Sequence, residues 1–167
     1  MIGIAAMLVL AYAPLAPVQE PPADPARVEL RIGTKSVPLG GTVKGTVAVT
    51  FAMGWHGYQN PPMREYEIPL KVEGATKDLK VKATYPKGEL KDFAGAKTLM
   101  YEGTVLVPIS FAAPKKKGPF KFDLNVTYQQ CNESTCLPPE VQKVSGSVNV
   151  VDLIKPKAPP KPAKPPL

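Results

Sequence analysis

The feature that most constrains this chain is a period of two in its apolar residues, repeated along most of its length. Val43, Gly45, Val47, Val49 and Phe51 alternate with Thr42, Lys44, Thr46, Ala48 and Thr50. The pattern returns at Leu79, Val81 and Ala83, and over a longer run at Leu99, Tyr101, Gly103, Val105, Val107, Ile109 and Phe111. It returns again at Phe120, Phe122, Leu124, Val126 and Tyr128, and at Val144, Gly146, Val148 and Val150. Successive side chains of a strand point to opposite faces, so each run is a strand with one buried face. Turn signals separate the runs at Pro38-Leu39-Gly40-Gly41, Asn60-Pro61-Pro62, Pro86-Lys87-Gly88, Pro114 to Pro119 and Pro138-Pro139. The count is seven or eight strands with no convincing helix. Such spacing predicts an all-β protein of two packed antiparallel sheets, an immunoglobulin-like β-sandwich. Pro69 and Pro108 fall inside strand-like runs and predict edges or bulges there.

The 167 residues support one domain, spanning 27–152, with enough chain to bury a core. The net charge of +7 is concentrated outside that core: Lys155, Lys157, Lys161 and Lys164 carry four charges and Lys115-Lys116-Lys117 three, leaving zero elsewhere. A nucleic-acid binder places its basic residues on one folded face among aromatics, so nucleic acid is not an expected partner.

Residues 2–13 form an apolar run of signal-peptide length, too short to span a bilayer comfortably. Ala11-Tyr12-Ala13 resembles a cleavage site, although Pro14 follows it and no Lys or Arg precedes Arg27. The expectation is a signal peptide over 1–20 and a linker over 21–26, with an uncleaved membrane anchor as the alternative. Export, to the periplasm or beyond the cell, would place both cysteines where disulfides persist. From 153 to 167 the chain is Pro/Lys-rich and lacks the apolar residues needed to offset folding entropy, so a solvated tail is expected. It is a spacer or a contact to the cell envelope.

The two cysteines, Cys131 and Cys136, stand at the end of a strand-like run and before Pro138-Pro139. A tight Asn-Glu-Ser-Thr turn between neighbouring strands brings them within bonding reach. A chain of this length does not need a staple, and so short a loop restrains the unfolded chain by only about 2 kcal/mol. The spacing is not Cys-x-x-Cys, there is no helix N-terminus to stabilise a thiolate, and Glu133 disfavours one. Such a pair is better suited to being attacked as a disulfide than to attacking. Spacing alone leaves two readings open, a structural hairpin disulfide and a redox couple.

The flanking residues bear on that choice. Tyr128-Gln129-Gln130-Cys131 followed by Cys136-Leu137-Pro138-Pro139-Glu140 resembles the N-terminal periplasmic domain of the thiol:disulfide interchange protein DsbD and the related disulfide bond corrector domains. Gly54-Trp55-His56-Gly57-Tyr58 is similar to that family's Gly-aromatic-x-x-Tyr strand, and Tyr101-Glu102-Gly103 through Val107-Pro108-Ile109 to the strand before its cysteine hairpin. The resemblance covers roughly residues 28–150. It implies an immunoglobulin-like fold and a periplasmic carrier of reducing equivalents, a component of a protein-disulfide reductase. Its implied partners are a thioredoxin-like domain or membrane thiol transporter on one side. On the other are a periplasmic disulfide isomerase or cytochrome-maturation thioredoxin-like proteins. Cys131 and Cys136 would be the redox couple, Cys136 forming the interdomain bond. DsbD itself continues into transmembrane and thioredoxin-like domains; this chain runs into its Pro/Lys tail, so the expected reductant is a separate protein.

The family also covers its cysteines with a cap loop bearing a phenylalanine, which falls here on Lys91-Asp92-Phe93-Ala94-Gly95. That makes Phe93 the candidate cap and Asp92 its acidic neighbour. The family's acidic pair is Lys91-Asp92 here, and its following tyrosine is Ala94. Phe93 as a buried loop anchor is the plainer alternative. His56, the sole histidine, and Tyr58 share one strand face. They either line the site, orienting the thiols or tuning their pKa, or are packed side chains; Trp55 faces the opposite way and is expected in the core. One histidine and two cysteines without ligand spacing exclude an ordinary zinc site. No nucleotide or hydrolase motif occurs, and no cofactor is expected. Two rivals to a general electron carrier stand: a noncatalytic binding or envelope module with a structural disulfide, and an adaptor dedicated to cytochrome maturation.

Overall fold

The computed structural model describes residues 26–93 and 95–152. The expected signal at 1–20, nearly all of the linker at 21–26 and the tail at 153–167 lie outside them.

Eleven strands and no helix make up the described residues: β1 Arg27–Ile32, β2 Ser36–Pro38, β3 Thr42–Thr50, β4 His56–Tyr58, β5 Lys71–Gly74, β6 Lys82–Ala83, β7 Glu89–Phe93, β8 Ala96–Glu102, β9 Thr104–Ala112, β10 Gly118–Tyr128 and β11 Glu140–Val151. They form two four-stranded sheets, β1-β3-β9-β6 and β2-β11-β10-β5, and a three-stranded sheet β4-β8-β7. The immunoglobulin-like sandwich is therefore present. The expected count of seven or eight strands is too low, and two sheets become three. All pairings are antiparallel except β2 with β11.

The alternating residues meet between the two larger sheets. Val43, Val47, Val49 and Phe51 from β3 and its end, Val105, Val107, Ile109 and Phe111 from β9, and Phe122, Leu124, Val126 and Tyr128 from β10 form one buried cluster. Phe111 and Phe122 meet edge to face, ring centroids 4.7 Å apart, across the interface. Removing such apolar surface from water is the main force holding the sheets together.

The long run from Leu99 to Phe111 is not one strand. It breaks at Gly103, whose φ of 58° lies where side chains with a Cβ are disfavoured. The Gly103 carbonyl turns to accept the Phe51 N–H. The residues before the break pair with β4 and β7, and those after it with β3 and β6. One sequence pattern thus serves two sheets, and the third sheet is its product. The run at Leu79, Val81 and Ala83 also shrinks: only Lys82–Ala83 pairs, while Leu79 and Val81 pack against the core from the loop.

Pro108 sits in an interior strand rather than at an edge, opposite Thr46 of β3. Its carbonyl accepts the Thr84 N–H, so its nitrogen faces the side where β6 has just ended at Ala83. A missing donor costs no ladder bond there. Pro69 forms only an isolated bridge to Tyr58.

Candidate thiol–disulfide site

The site lies at the end of the sandwich where β10 runs out. Tyr128, the last residue of β10, is fully buried, and its hydroxyl donates to the Glu140 carboxylate at 2.8 Å while accepting from the Gln142 amide at 2.7 Å. These contacts fix the distance between the end of β10 and the start of β11. The cysteine loop closes on that base, with the Leu137 N–H donating to the Gln130 carbonyl.

Within the loop, Asn132 organises the turn. Its side-chain oxygen accepts the Ser134 N–H at 3.0 Å, the Ser134 hydroxyl at 3.1 Å and the Thr135 N–H at 2.9 Å. Its own N–H donates to the Thr135 carbonyl. This is an Asx-type turn, a use to which asparagine is suited because its short side chain reaches the backbone two residues on. The turn brings Cys131 and Cys136 opposite one another as bridge partners, and their sulfurs are bonded. The two cysteines differ in exposure: Cys131 is fully buried, whereas Cys136 is exposed.

β4 lies against this loop. His56 and Cys131 exchange both backbone hydrogen bonds, at 2.9 and 3.0 Å. Along β4, His56 and Tyr58 point to the disulfide side and Gly57 to the other. A Cβ on Gly57 would lie 2.3 Å from the Phe51 ring, so only glycine lets β4 settle on the core. The Tyr58 hydroxyl is 3.5 Å from Cys131 Sγ and 3.9 Å from Cys136 Sγ. With the sulfurs bonded, the hydroxyl is the donor. Burial, and after it the Glu67 carboxylate, push its pKa above the ordinary phenol value, so it keeps its proton.

The β7–β8 hairpin covers the other side of His56. Phe93, its last β7 residue, stands edge to face with the His56 ring at 4.7 Å, and His56 stands likewise to Tyr58 at 5.8 Å. The three rings form a row from hairpin to disulfide. His56 is buried, its Nε2 has no hydrogen-bond partner, and burial holds its pKa below the ordinary value. Lys91 of β7 bridges to Glu102 on β8, and more loosely to Glu89 at 3.6 Å. Between this hairpin and the β3–β4 turn opens a cleft of about 620 Å³, lined among others by Met53, Trp55, His56, Asp92, Phe93 and Glu133.

The structure thus brings Cys131, Cys136, His56, Tyr58 and Phe93 together. Asp92 lies at the cleft and is exposed, with no hydrogen bond to either sulfur among the described contacts. Trp55 is buried as expected, yet it lines the cleft and stands outside the main core cluster. The sequence places Asn132 in the turn and Gln130 in the cysteine motif but assigns neither side chain a role; the Gln130 amide is buried without a partner. Glu67, a buried carboxylate, carries no local signal. Among the described residues no cluster of His, Cys, Asp or Glu is arranged for a metal ion.

The family described as "Thiol:disulfide interchange protein DsbD, N-terminal" matches residues 23–147. The chain belongs to that family. No curated relative matches it. Among solved structures, it is similar to the N-terminal periplasmic domain of ScsB from Proteus mirabilis, at 20% identity and a TM-score of 0.57 over 79% of this chain. The chain spans about half of that domain, 49% of its length. It is also similar to the Neisseria meningitidis DsbD n-terminal domain in the reduced form, at 22% identity and a TM-score of 0.50, covering 78% of this chain and 91% of that one. These likenesses establish the immunoglobulin-like fold. The family's activity is thiol–disulfide transfer, and its cysteine pair is present here.

Proposed function

We propose that this domain is an exported carrier of reducing equivalents, working through the Cys131–Cys136 couple in the periplasm. The observation that carries the reading is the unequal burial of two bonded cysteines. A partner thiolate needs an in-line approach to one sulfur and a leaving sulfur that the site can stabilise. Cys136 is exposed to such an approach, and Cys131, buried beside the Tyr58 hydroxyl, is placed to leave.

In the loading step a partner thiolate attacks Cys136 Sγ, forming a mixed disulfide as the Cys131–Cys136 bond breaks. The Cys131 thiolate accepts the Tyr58 hydrogen bond and takes up a proton. The partner's second thiolate then displaces Cys136, so the partner leaves as a disulfide and the domain holds two thiols. Delivery runs the same exchange in reverse. Phe93 acts as the cap: resting on His56 beside the disulfide, it narrows the approach to the exposed Cys136 and swings away as a partner docks, while His56 spaces it from Tyr58. The reductant is a thioredoxin-like domain or membrane thiol transporter, and the recipient an oxidised thioredoxin-like protein, such as a disulfide isomerase or a cytochrome-maturation factor.

Equilibrating the domain in defined thiol buffers tests the reading. A reduction potential of about −200 to −270 mV supports a carrier; one well below −300 mV belongs to a structural disulfide and sinks it. Single-cysteine variants refine the test. Cys131→Ala, which leaves the exposed Cys136, is expected to trap a mixed disulfide with a thioredoxin-like partner, and Cys136→Ala is not.

A further inference from the structure

Glu67 is a buried carboxylate that bonds to neither sulfur; beyond its pull on the Tyr58 hydroxyl, it has structural contacts of its own. It is 3% exposed, and no Lys, Arg or His bridges to it among the described residues. Burying a charge is costly unless hydrogen bonds compensate it. Glu67 is compensated by three donors: the Met63 N–H at 2.8 Å, the Arg64 N–H at 3.2 Å and the hydroxyl of Thr98 on β8. Thr98 is itself 1% exposed. One residue away, the Arg64 guanidinium donates to the Lys97 carbonyl at 3.0 Å.

Both contacts fall on the part of β8 that β4 leaves uncovered. β4 pairs only with Met100 to Glu102, and the Gln59 N–H reaches the Leu99 carbonyl just past its end. Further toward the hairpin tip, β8 is held by Arg64 on that edge, through the Lys97 carbonyl, and by Glu67 on its face, through the Thr98 hydroxyl, in place of a strand. On its other edge, Thr98 pairs with Lys91 and Lys97 with Asp92, next to Phe93. The loop between β4 and β5 is therefore a strut behind the hairpin whose tip carries Phe93. These side-chain contacts can be released without breaking the β4–β8 ladder.

We propose that Glu67 and Arg64 are positioning residues for the cap: through Thr98 and Lys97 they hold the β7–β8 tip where Phe93 rests on His56, and their release frees it. This rests on the reading of Phe93 as the cap. The experiment is the rate at which dithiothreitol reduces the Cys131–Cys136 disulfide in the full chain. Phe93→Ala alone tests the cap and is expected to speed reduction. Thr98→Val, which removes the hydroxyl and keeps the shape, and Arg64→Ala are each expected to speed it about tenfold, the rate equivalent of one charge-assisted hydrogen bond. Thr98→Ser is expected to restore the parental rate. In a Phe93→Ala background neither substitution should add anything, because both act through that ring. Unchanged rates in folded Thr98→Val and Arg64→Ala, or their full effect persisting without Phe93, overturn the strut. An unchanged rate in Phe93→Ala overturns the cap itself and the strut with it. If Thr98→Val does not fold, Arg64→Ala, whose acceptor is an exposed backbone carbonyl, decides alone.

Discussion

His56 is held neutral by its surroundings, with Glu102 drawing its pKa up less than burial draws it down and Lys91 adding to the fall. In the unfolded chain the ring titrates near 6.5. Between the lowered folded value and 6.5 the unfolded state binds more protons, so stability rises with pH through that window and falls on acidification. Carboxylates titrate lower, near about 4, and this is the sole histidine. The denaturation midpoint is therefore expected to drop between about pH 7.5 and pH 5.5, and His56→Gln to flatten that slope; a slope surviving in the variant excludes His56 as its source. Tyr58 acts on the sulfurs in a different way. Tyr58→Phe removes the hydroxyl donor beside Cys131 Sγ and is expected to slow exchange with a thioredoxin-like partner about tenfold, read by stopped-flow fluorescence. The fold should be retained, because the ring stays.

At the scale of an element, β4 is a three-residue strand doing three jobs: bridging Cys131, presenting His56 and Tyr58, and packing Gly57 on Phe51. The last is the most exacting. A Cβ at 2.3 Å from an aromatic carbon has no room, and Phe51 is itself wedged against Tyr128 at 6.1 Å between ring centroids. Gly57→Ala is expected to cost about 1–3 kcal/mol in denaturant unfolding, the usual range for overpacking a tight core. It should also perturb exchange, since β4 cannot shift without carrying Tyr58 off the sulfurs. A variant with parental stability would show that the contact relaxes elsewhere.

For the whole molecule, the disulfide closes a loop of sequence separation 5, while the core joins residues from β1 to β11. Loop-closure entropy puts its contribution at about 2 kcal/mol, small beside a core of this extent. Reduction is expected to lower unfolding free energy by about that amount and leave a cooperative transition with the same denaturant slope. A domain that unfolds on reduction would not survive as an electron carrier. The cysteine end and the structural core are thus expected to be separable, the sheets holding without the S–S bond.

The period-two runs by themselves determined the all-β class and most of the core, because alternation is local and burial of one strand face follows directly from it. The cysteine motif, with its asparagine and double proline, determined where the loop and its bond would fall. Their limits were equally physical. Alternation does not register that Gly103 turns the chain from one sheet into another, because a glycine fits either face of the pattern. Nor does it say that Pro108 faces the short side of an interior strand. Phe93, His56 and Tyr58 were placed at the site by resemblance, and only the packed structure set them in one row. That Cys131 is buried while Cys136 is exposed depends on β4 covering one side of the hairpin. Glu67 stood outside any pattern, since its meaning comes from Thr98, a residue far along the chain that only tertiary folding brings beside it.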